Sequence, residues 1–134
     1  MEAEAFDDLR QFIDASKKVA EWREIKKADW NLEIGALIEA TAELIPQPPL
    51  LIFDEIKGYP AGYRVLGLSF AFYKRVALAL GLPPDRSKLE LVRLASRKIG
   101  SAKPIAPKEV SRAPVMENAM TGAQVDLTKF PALR

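Results

Sequence analysis

Pro48-Pro49-Leu50-Leu51-Ile52-Phe53-Asp54-Glu55-Ile56-Lys57-Gly58-Tyr59-Pro60 holds the reading on which the fold depends. Four consecutive apolar residues, Leu50 to Phe53, stand between a pair of prolines and a charged segment. The run's length and its proline boundary favour a buried strand over a helix. Asp54 to Pro60 then reads as a turn, with a conformationally permissive Gly58 and a Pro60 whose φ is fixed.

Upstream of this strand, the periodicity predicts a helix over residues 31–45. Ile34, Ile38, Ala42 and Ile45 form its inward row, flanked by Leu37, Thr41 and Leu44. Asp29 or Asn31 would cap it, and Pro46, Pro48 and Pro49 end it. Before it, residues 21–27 read as a short polar strand whose charges suit a sheet edge. Residues 6–19 read as an amphipathic helix with Leu9, Phe12, Ile13 and Ala20 inward. Asp7 and Asp8 fall in its first turn and Lys17 and Lys18 in its last, the order the helix dipole favours.

Downstream, Arg64 to Leu68 is the expected partner strand. Phe70 to Leu80 is expected to be helical, with Val76, Ala77 and Leu80 inward and Gly81 as C-terminal cap. Pro83 and Pro84 open a helix over 86–98. Its buried row is read as Leu89, Val92, Ser96 and Ile99, with Leu91, Leu94 and Ala95 beside it. From residue 101 onward the apolar residues come singly among Pro104, Pro107, Pro114 and Pro131. That pattern predicts an extended arm with one or two short strands, whose docking surface lies elsewhere. The expected fold is α+β: a small mixed β-sheet with packed helices and an extended C-terminal arm. Residues 1–100 form the domain and 101–134 the arm.

Composition narrows the chemistry. The chain has 134 residues, 49% hydrophobic and 28% charged, the makeup of one globular domain. It has no cysteine and no histidine. Thiolate nucleophiles, disulfides, Ser-His-Asp chemistry and histidine metal ligands are therefore excluded from this chain. No stretch approaches the roughly 18–20 apolar residues of a membrane helix. The acidic start Met1-Glu2-Ala3-Glu4 lacks the basic and apolar regions of a signal peptide, so a cytoplasmic location is expected. The net charge of +2 conceals a division. Residues 1–57 carry thirteen acids and seven bases, a net of −6; residues 58–134 carry five acids and thirteen bases, a net of +8. Such a split fits a nucleic-acid footprint, two mutually attracting halves, or a surface for an acidic partner. Nucleic acid is the less favoured reading, because no aromatic residues interleave with the bases.

Few residues suggest catalysis. Asp54 and Glu55 are adjacent, so on a strand they point to opposite faces and do not address one substrate. Gly58, Gly62 and Gly67 match no phosphate-binding loop and are read as turn residues. Arg86, Lys88, Arg93, Arg97 and Lys98 crowd one helix, as a solvated or partner-facing surface. Tyr59, Tyr63 and Tyr73 are read as packing residues, and Trp22 and Trp30 as core or interface anchors.

The order of several segments adds a second kind of information. These are Asp8-Leu9-Arg10-Gln11-Phe12-Ile13, Leu32-Glu33-Ile34-Gly35, Leu51 to Pro60, Arg75 to Gly81, Pro107-Lys108-Glu109-Val110, and Val125-Asp126-Leu127-Thr128-Lys129-Phe130-Pro131. The series resembles the N-terminal domain of the UbiD family of decarboxylases. Lys57-Gly58-Tyr59-Pro60 and the Val125–Pro131 ending are its most specific pieces. The resemblance implies a reversible decarboxylase of aromatic or α,β-unsaturated carboxylic acids that uses prenylated FMN with manganese and potassium. It also implies flavin-binding and C-terminal domains, in the same or a separate chain, and a homo-oligomer when complete. The family's metal-binding Asn, His and Glu and its catalytic Glu-Arg-Glu group belong to the flavin-binding domain, and no position here matches them. The expectation is therefore no catalytic, cofactor-binding or metal-binding residue in this chain, and no cofactor or activity for it alone. It would be a fragment of a decarboxylase, a split subunit, or a stand-alone relative with a binding role. The alternative from another class is a non-catalytic interaction or nucleic-acid-binding module. The basic segment 85–112, with eight bases and three acids, is expected to face a neighbouring domain or subunit.

Overall fold

The computed structural model describes residues 6–133, and the Met1–Glu4 start lies outside the described residues. The elements run α1 (Leu9–Val19), β1 (Trp22–Lys26), α2 (Glu33–Leu44), β2 (Leu50–Asp54), β3 (Val65–Gly67), α3 (Tyr73–Ala79) and α4 (Lys88–Ser101). Three single 3-10 turns follow, at Pro114–Met116, Gly122–Gln124 and Leu127–Lys129. The fold is α+β, with a three-stranded mixed sheet in the order β1-β2-β3. β1 is parallel to β2, and α2 is the crossover such a pair requires. β3 returns antiparallel to β2.

β2 is central and its first four residues are all buried, which explains an apolar run without alternation. The register places Ile25 and Val65 opposite Phe53, and Gly67 opposite Leu51. These residues share one face of the sheet. Ile34, Leu37 and Ile38 of α2 cover that face, and Ala28 and Ile56 close the cluster. The other face presents Trp22, Leu50, Ile52 and Leu66. α1 borders it: Lys17 Nζ lies 4.6 Å from the centre of the Trp22 ring. Ile13 and Lys17 also share a cleft with Ile52 and Leu66. α1 in turn packs on α3, and α3 on α4. Ala77, Leu82 and Leu91 form a second, smaller cluster there with Tyr73, Leu94 and Ala95.

Several expectations are corrected. Asp8 is the N-cap of α1 rather than a first-turn residue, accepting from the Gln11 N–H, and Leu9 points outward at 59% exposure. Phe12 and Ser16 are the residues α1 buries, and Ala20 is its extended C-cap. No side chain caps α2: its N-cap is Leu32, held at φ 69°, while Asp29 lends its backbone carbonyl to the Ile34 N–H. The inward row of α2 holds only as far as Thr41; Ala42, Leu44 and Ile45 are exposed. α3 starts at Tyr73 rather than at residue 70, and buries Arg75 and Ala77 while Val76 faces out. Gly81 does terminate it, at φ 62°. The row assigned to the core of the next helix is the wrong one. Leu89, Val92 and Ile99 are 60–65% exposed, whereas Leu91, with Leu94 and Ala95 beside it, faces α3. The arm contains no strand among the described residues, only the three short turns. Gly67 is not a turn residue: it sits in β3, where a Cβ would come within 3.0 Å of Ile38 Cγ1.

Candidate functional site

Each of the three strands is followed directly by a residue in the left-handed region, Lys27, Glu55 and Leu68, at φ 51–61°. Side chains there cost roughly 1–2 kcal/mol, so these ends are held by what surrounds them. At the ends of β1 and β2 the hold is an ion pair, Lys26 Nζ to Glu55 Oε1 at 2.8 Å, and a backbone bond from Lys27 N to Asp54 O. Beyond them Asp29 and Lys57 form a parallel bridge, and Lys57 Nζ reaches Asp29 Oδ2 at 3.0 Å. The Asn31 backbone N–H, and secondly the Lys57 ammonium, hold the Asp29 carboxyl below the usual aspartate value. The Asp29 carboxylate in turn raises the Lys57 pKa.

This bracing carries the turn that presents Tyr59. Gly58 adopts φ 85°, a conformation glycine accepts at no steric cost. The Tyr59 ring stands edge-on to Trp30 at 6.2 Å and lies 6.0 Å from Tyr63. Its hydroxyl donates to the arm, with the Phe130 carbonyl oxygen at 3.0 Å and that of Thr128 at 3.2 Å sharing the single proton. The Phe130 ring stacks edge-on to Tyr63 at 6.2 Å. The arm presents those carbonyls through its last 3-10 turn. Asp126 caps that turn, accepting from Thr128 Oγ1 at 2.6 Å and from Thr128 N at 3.0 Å. Those two bonds hold the Asp126 carboxyl below its ordinary value. The two segments most specific in the sequence, Lys57–Pro60 and Val125–Pro131, thus meet in space.

The other candidate residues have local roles. Asp54 accepts from the Glu55 N–H at 2.7 Å, and Glu55 pairs with Lys26, so the two carboxylates do not converge. Gly62 adopts φ 100° in the turn before β3. Tyr73 packs in the α3–α4 cluster with Lys88 Nζ 5.3 Å from its ring centre. Trp22 is 37% exposed beneath Lys17. Arg86, Arg93 and Arg97 line one shallow groove beside Glu90, whose carboxyl is held low chiefly by the Ser87 hydroxyl in a capping box. The capping box was legible as Ser87 and Glu90 three apart.

A cleft of about 560 Å³ opens between α1 and β3, with Arg10, Lys17 and Arg64 at its rim against Asp8 and Asp14. Among the described residues no group of three or more Asp, Glu, His or Cys stands together as a metal site. The chain offers no histidine or cysteine ligand, and its glycines form no phosphate-binding motif. No helix of the described residues is long and apolar enough to cross a membrane.

Comparison with known proteins agrees with the segment order. The family model described as the 3-octaprenyl-4-hydroxybenzoate carboxy-lyase N-terminal domain matches residues 13–95. A pyrrole-2-carboxylic acid decarboxylase of Pseudomonas aeruginosa is 36% identical over 92% of this chain and 26% of that protein. A phenolic acid decarboxylase of a Streptomyces species is 33% identical over the same shares. The chain thus spans about a quarter of the length of the curated relatives it matches. Among solved structures, the vanillic acid decarboxylase of Sedimentibacter hydroxybenzoicus is similar in its closed form, with TM-score 0.64 and 27% identity, covering 87% of this chain and 24% of that one. Its open form matches with TM-score 0.60 and 28% identity, covering 71% and 20%.

Proposed function

The chain belongs to the UbiD N-terminal-domain family, and from that premise we propose that it serves a cytoplasmic, reversible decarboxylase of aromatic or α,β-unsaturated carboxylic acids. The relatives named for pyrrole-2-carboxylate and phenolic acids support that substrate class. Prenylated FMN, with manganese and potassium, belongs in this reading to a flavin-binding domain; that no group of three or more carboxylates stands together among the described residues supports it. The chain's part is structural. Residues 1–100 form a domain, and 101–134 an arm that rests on the flavin-binding domain and leads toward it, in the same chain or another.

The observation that carries this reading is the Tyr59 junction. It ties the far end of the arm back to the turn after β2, and so fixes where and in which direction the chain leaves this domain. Between the two tethered ends the arm holds its apolar side chains out: Ile105 is 94% exposed, Val115 86% and Leu127 74%. In this reading these singly spaced side chains are the ones that the neighbouring domain covers. The test is expression of the whole gene product, or of this chain with the flavin-bearing polypeptide, alongside a prenyl-flavin synthase. Flavin absorbance should co-purify with the chain, and pyrrole-2-carboxylate, vanillate or a related acid should release carbon dioxide. A chain that never co-purifies with a flavoprotein overturns the reading.

A further inference from the structure

The exposed row on α4 is an apolar face that nothing in the fold covers. Leu89, Val92 and Ile99 lie along one side of the helix, each 60–65% exposed. Directly beside them, at a four-residue spacing, stand Arg93 and Arg97, with Arg86 continuing the row into the groove before the helix. Neither Arg93 nor Arg97 takes part in an ion pair among the described residues. α4 as a whole carries four bases and one acid.

α2 presents the opposite arrangement on the far side of the sheet. It carries three glutamates and no base. Its outward side shows Ala36, Ala40 and Leu44, all exposed, with Leu44 at 79%. Beside them Glu39 and Glu43 stand four residues apart, also without an ion pair among the described residues. On each helix, then, an apolar stripe runs next to two like charges at a one-turn spacing, and the signs are opposite. The small Ala36 and Ala40 side chains let a second helix approach closely.

We propose that two copies of this chain associate through these faces, the α4 face of one copy seated on the α2 face of the other. Arg93 and Arg97 of one copy meet Glu39 and Glu43 of its partner, and Leu89, Val92 and Ile99 pack over Ala36, Ala40 and Leu44. The division of charge between the two halves of the sequence, −6 and +8, has a use in this arrangement: like halves repel and unlike halves attract across the contact. Because each chain carries both faces, on opposite sides of the sheet, the contact is head to tail and passes from copy to copy. The inference stands on surface chemistry and does not depend on the decarboxylase reading.

The test is sedimentation velocity on the chain at about 50 and 500 mM salt, over a range up to about 100 μM. The wild-type chain should self-associate at low salt, and its apparent Kd should weaken at least about tenfold at high salt, where the Debye length shrinks to a few ångströms. Two charge-reversed variants, Glu39→Lys with Glu43→Lys and Arg93→Glu with Arg97→Glu, should each be monomeric. Every substitution is at an exposed helix position, and circular dichroism checks that the fold is kept. In an equimolar mixture of the two variants both contacts between unlike copies are charge-matched: the unaltered acidic α2 of the second variant with the unaltered basic α4 of the first, and the reversed α2 of the first with the reversed α4 of the second. That mixture should therefore associate again, with the two variants alternating. A wild-type chain that stays monomeric at 100 μM and low salt, variants that associate as the wild type does, or a mixture that remains monomeric would each overturn the proposal.

Discussion

Arg75 is the side chain whose environment departs furthest from its type. It is fully buried at 0% exposure, with no carboxylate beside it among the described residues. Its Nη2 donates to the Pro48 carbonyl at 2.7 Å and to that of Leu68 at 3.1 Å, and its Nε to that of Ser69 at 3.2 Å. The guanidinium also lies 5.6 Å from the Phe72 ring centre. Burial pushes its pKa below the usual arginine value. One group thus ties the entry to β2 to the link between β3 and α3. Arg75→Met should lower stability by about 2–4 kcal/mol, because one buried and two half-buried carbonyls lose their donor. Arg75→Lys should recover little, since a compact ammonium does not span the three acceptors. Urea unfolding measures both, and a loss below about 1 kcal/mol for Arg75→Met would show that the carbonyls are otherwise satisfied. Nothing in the sequence signals this role, because arginine is ordinarily a surface residue. The surface carboxylates follow a more readable rule. Asp8, Asp29, Glu90 and Asp126 are all held below their ordinary pKa values by hydrogen bonds, the bond from the Gln11 N–H leading for Asp8. Their contribution to stability is full above the unfolded carboxyl values and is lost as pH falls through the folded ones. Lys26 and Lys57 are raised, by Glu55 and Asp29 respectively, so their contribution is full below the ordinary lysine value and is lost as pH rises through the raised folded values. With no histidine to titrate, the melting temperature should be flat from about pH 5 to 9 and fall below about pH 4. A step near pH 6–7 in a thermal-melt series would contradict this assignment.

At the scale of elements, the sheet was legible because its signals are local. An apolar run between prolines, a charged edge strand and a proline-glycine turn each constrain a few consecutive residues, and β1, β2 and β3 lie within one or two residues of the spans read from them. The helices were legible in position but less so in facing. On α4 two apolar rows compete, Leu89-Val92-Ile99 and Leu91-Leu94-Ala95, and periodicity alone does not say which one meets α3. Tertiary packing decides: Leu91 lies with Ala77 and Leu82, and Leu94 and Ala95 pack beside them. The junction was legible in its two pieces and not in their contact, since Tyr59 and Phe130 are 71 residues apart. Gly67 shows how facing is fixed where α2 crosses the sheet. A Cβ there would meet Ile38 Cγ1 at 3.0 Å, Ile38 Cδ1 at 3.1 Å and Leu51 Cβ at 3.4 Å. Gly67→Ala should therefore cost about 1–2 kcal/mol by overpacking. Combining it with Ile38→Val, which removes the Cδ1 methyl, should cost less than the two single losses added together. Strict additivity in urea unfolding would mean that α2 shifts as a body rather than pressing on β3 through Ile38.

For the whole molecule, the question is whether the arm is part of the fold or only attached to it. Its described residues make few contacts with the domain, and at its far end the Tyr59 hydroxyl and the Tyr63 ring hold Phe130 and Thr128 in place. The hydroxyl bond is partly open to solvent and is worth about 1 kcal/mol, so the tether is one that opens often. Local opening of that kind sets the rate of proteolysis when reclosing is fast. The arm offers trypsin a graded set of sites, Lys108 and Arg112 in the free span and Lys129 inside the tethered turn, while Pro104 protects the bond after Lys103. Tyr59→Phe keeps the ring against Trp30 and Tyr63 and removes only the donor. It should speed cleavage after Lys129 by about fivefold, the factor that loss of about 1 kcal/mol implies, and leave cleavage after Lys108 and Arg112 unchanged. Tyr59→Ala removes the ring as well, so cleavage after Lys129 should accelerate further and Trp30 fluorescence should change, which the Phe variant should not cause. Lowering the pH should mimic Tyr59→Phe in part, since protonating Asp126 weakens the cap that shapes the tethered turn. A pepsin-class protease or hydrogen exchange reads that arm of the experiment. If Lys129 were cut at the wild-type rate in both variants, the arm would be held by something other than Tyr59, and the exit direction of the chain would have to be set by contacts beyond this domain.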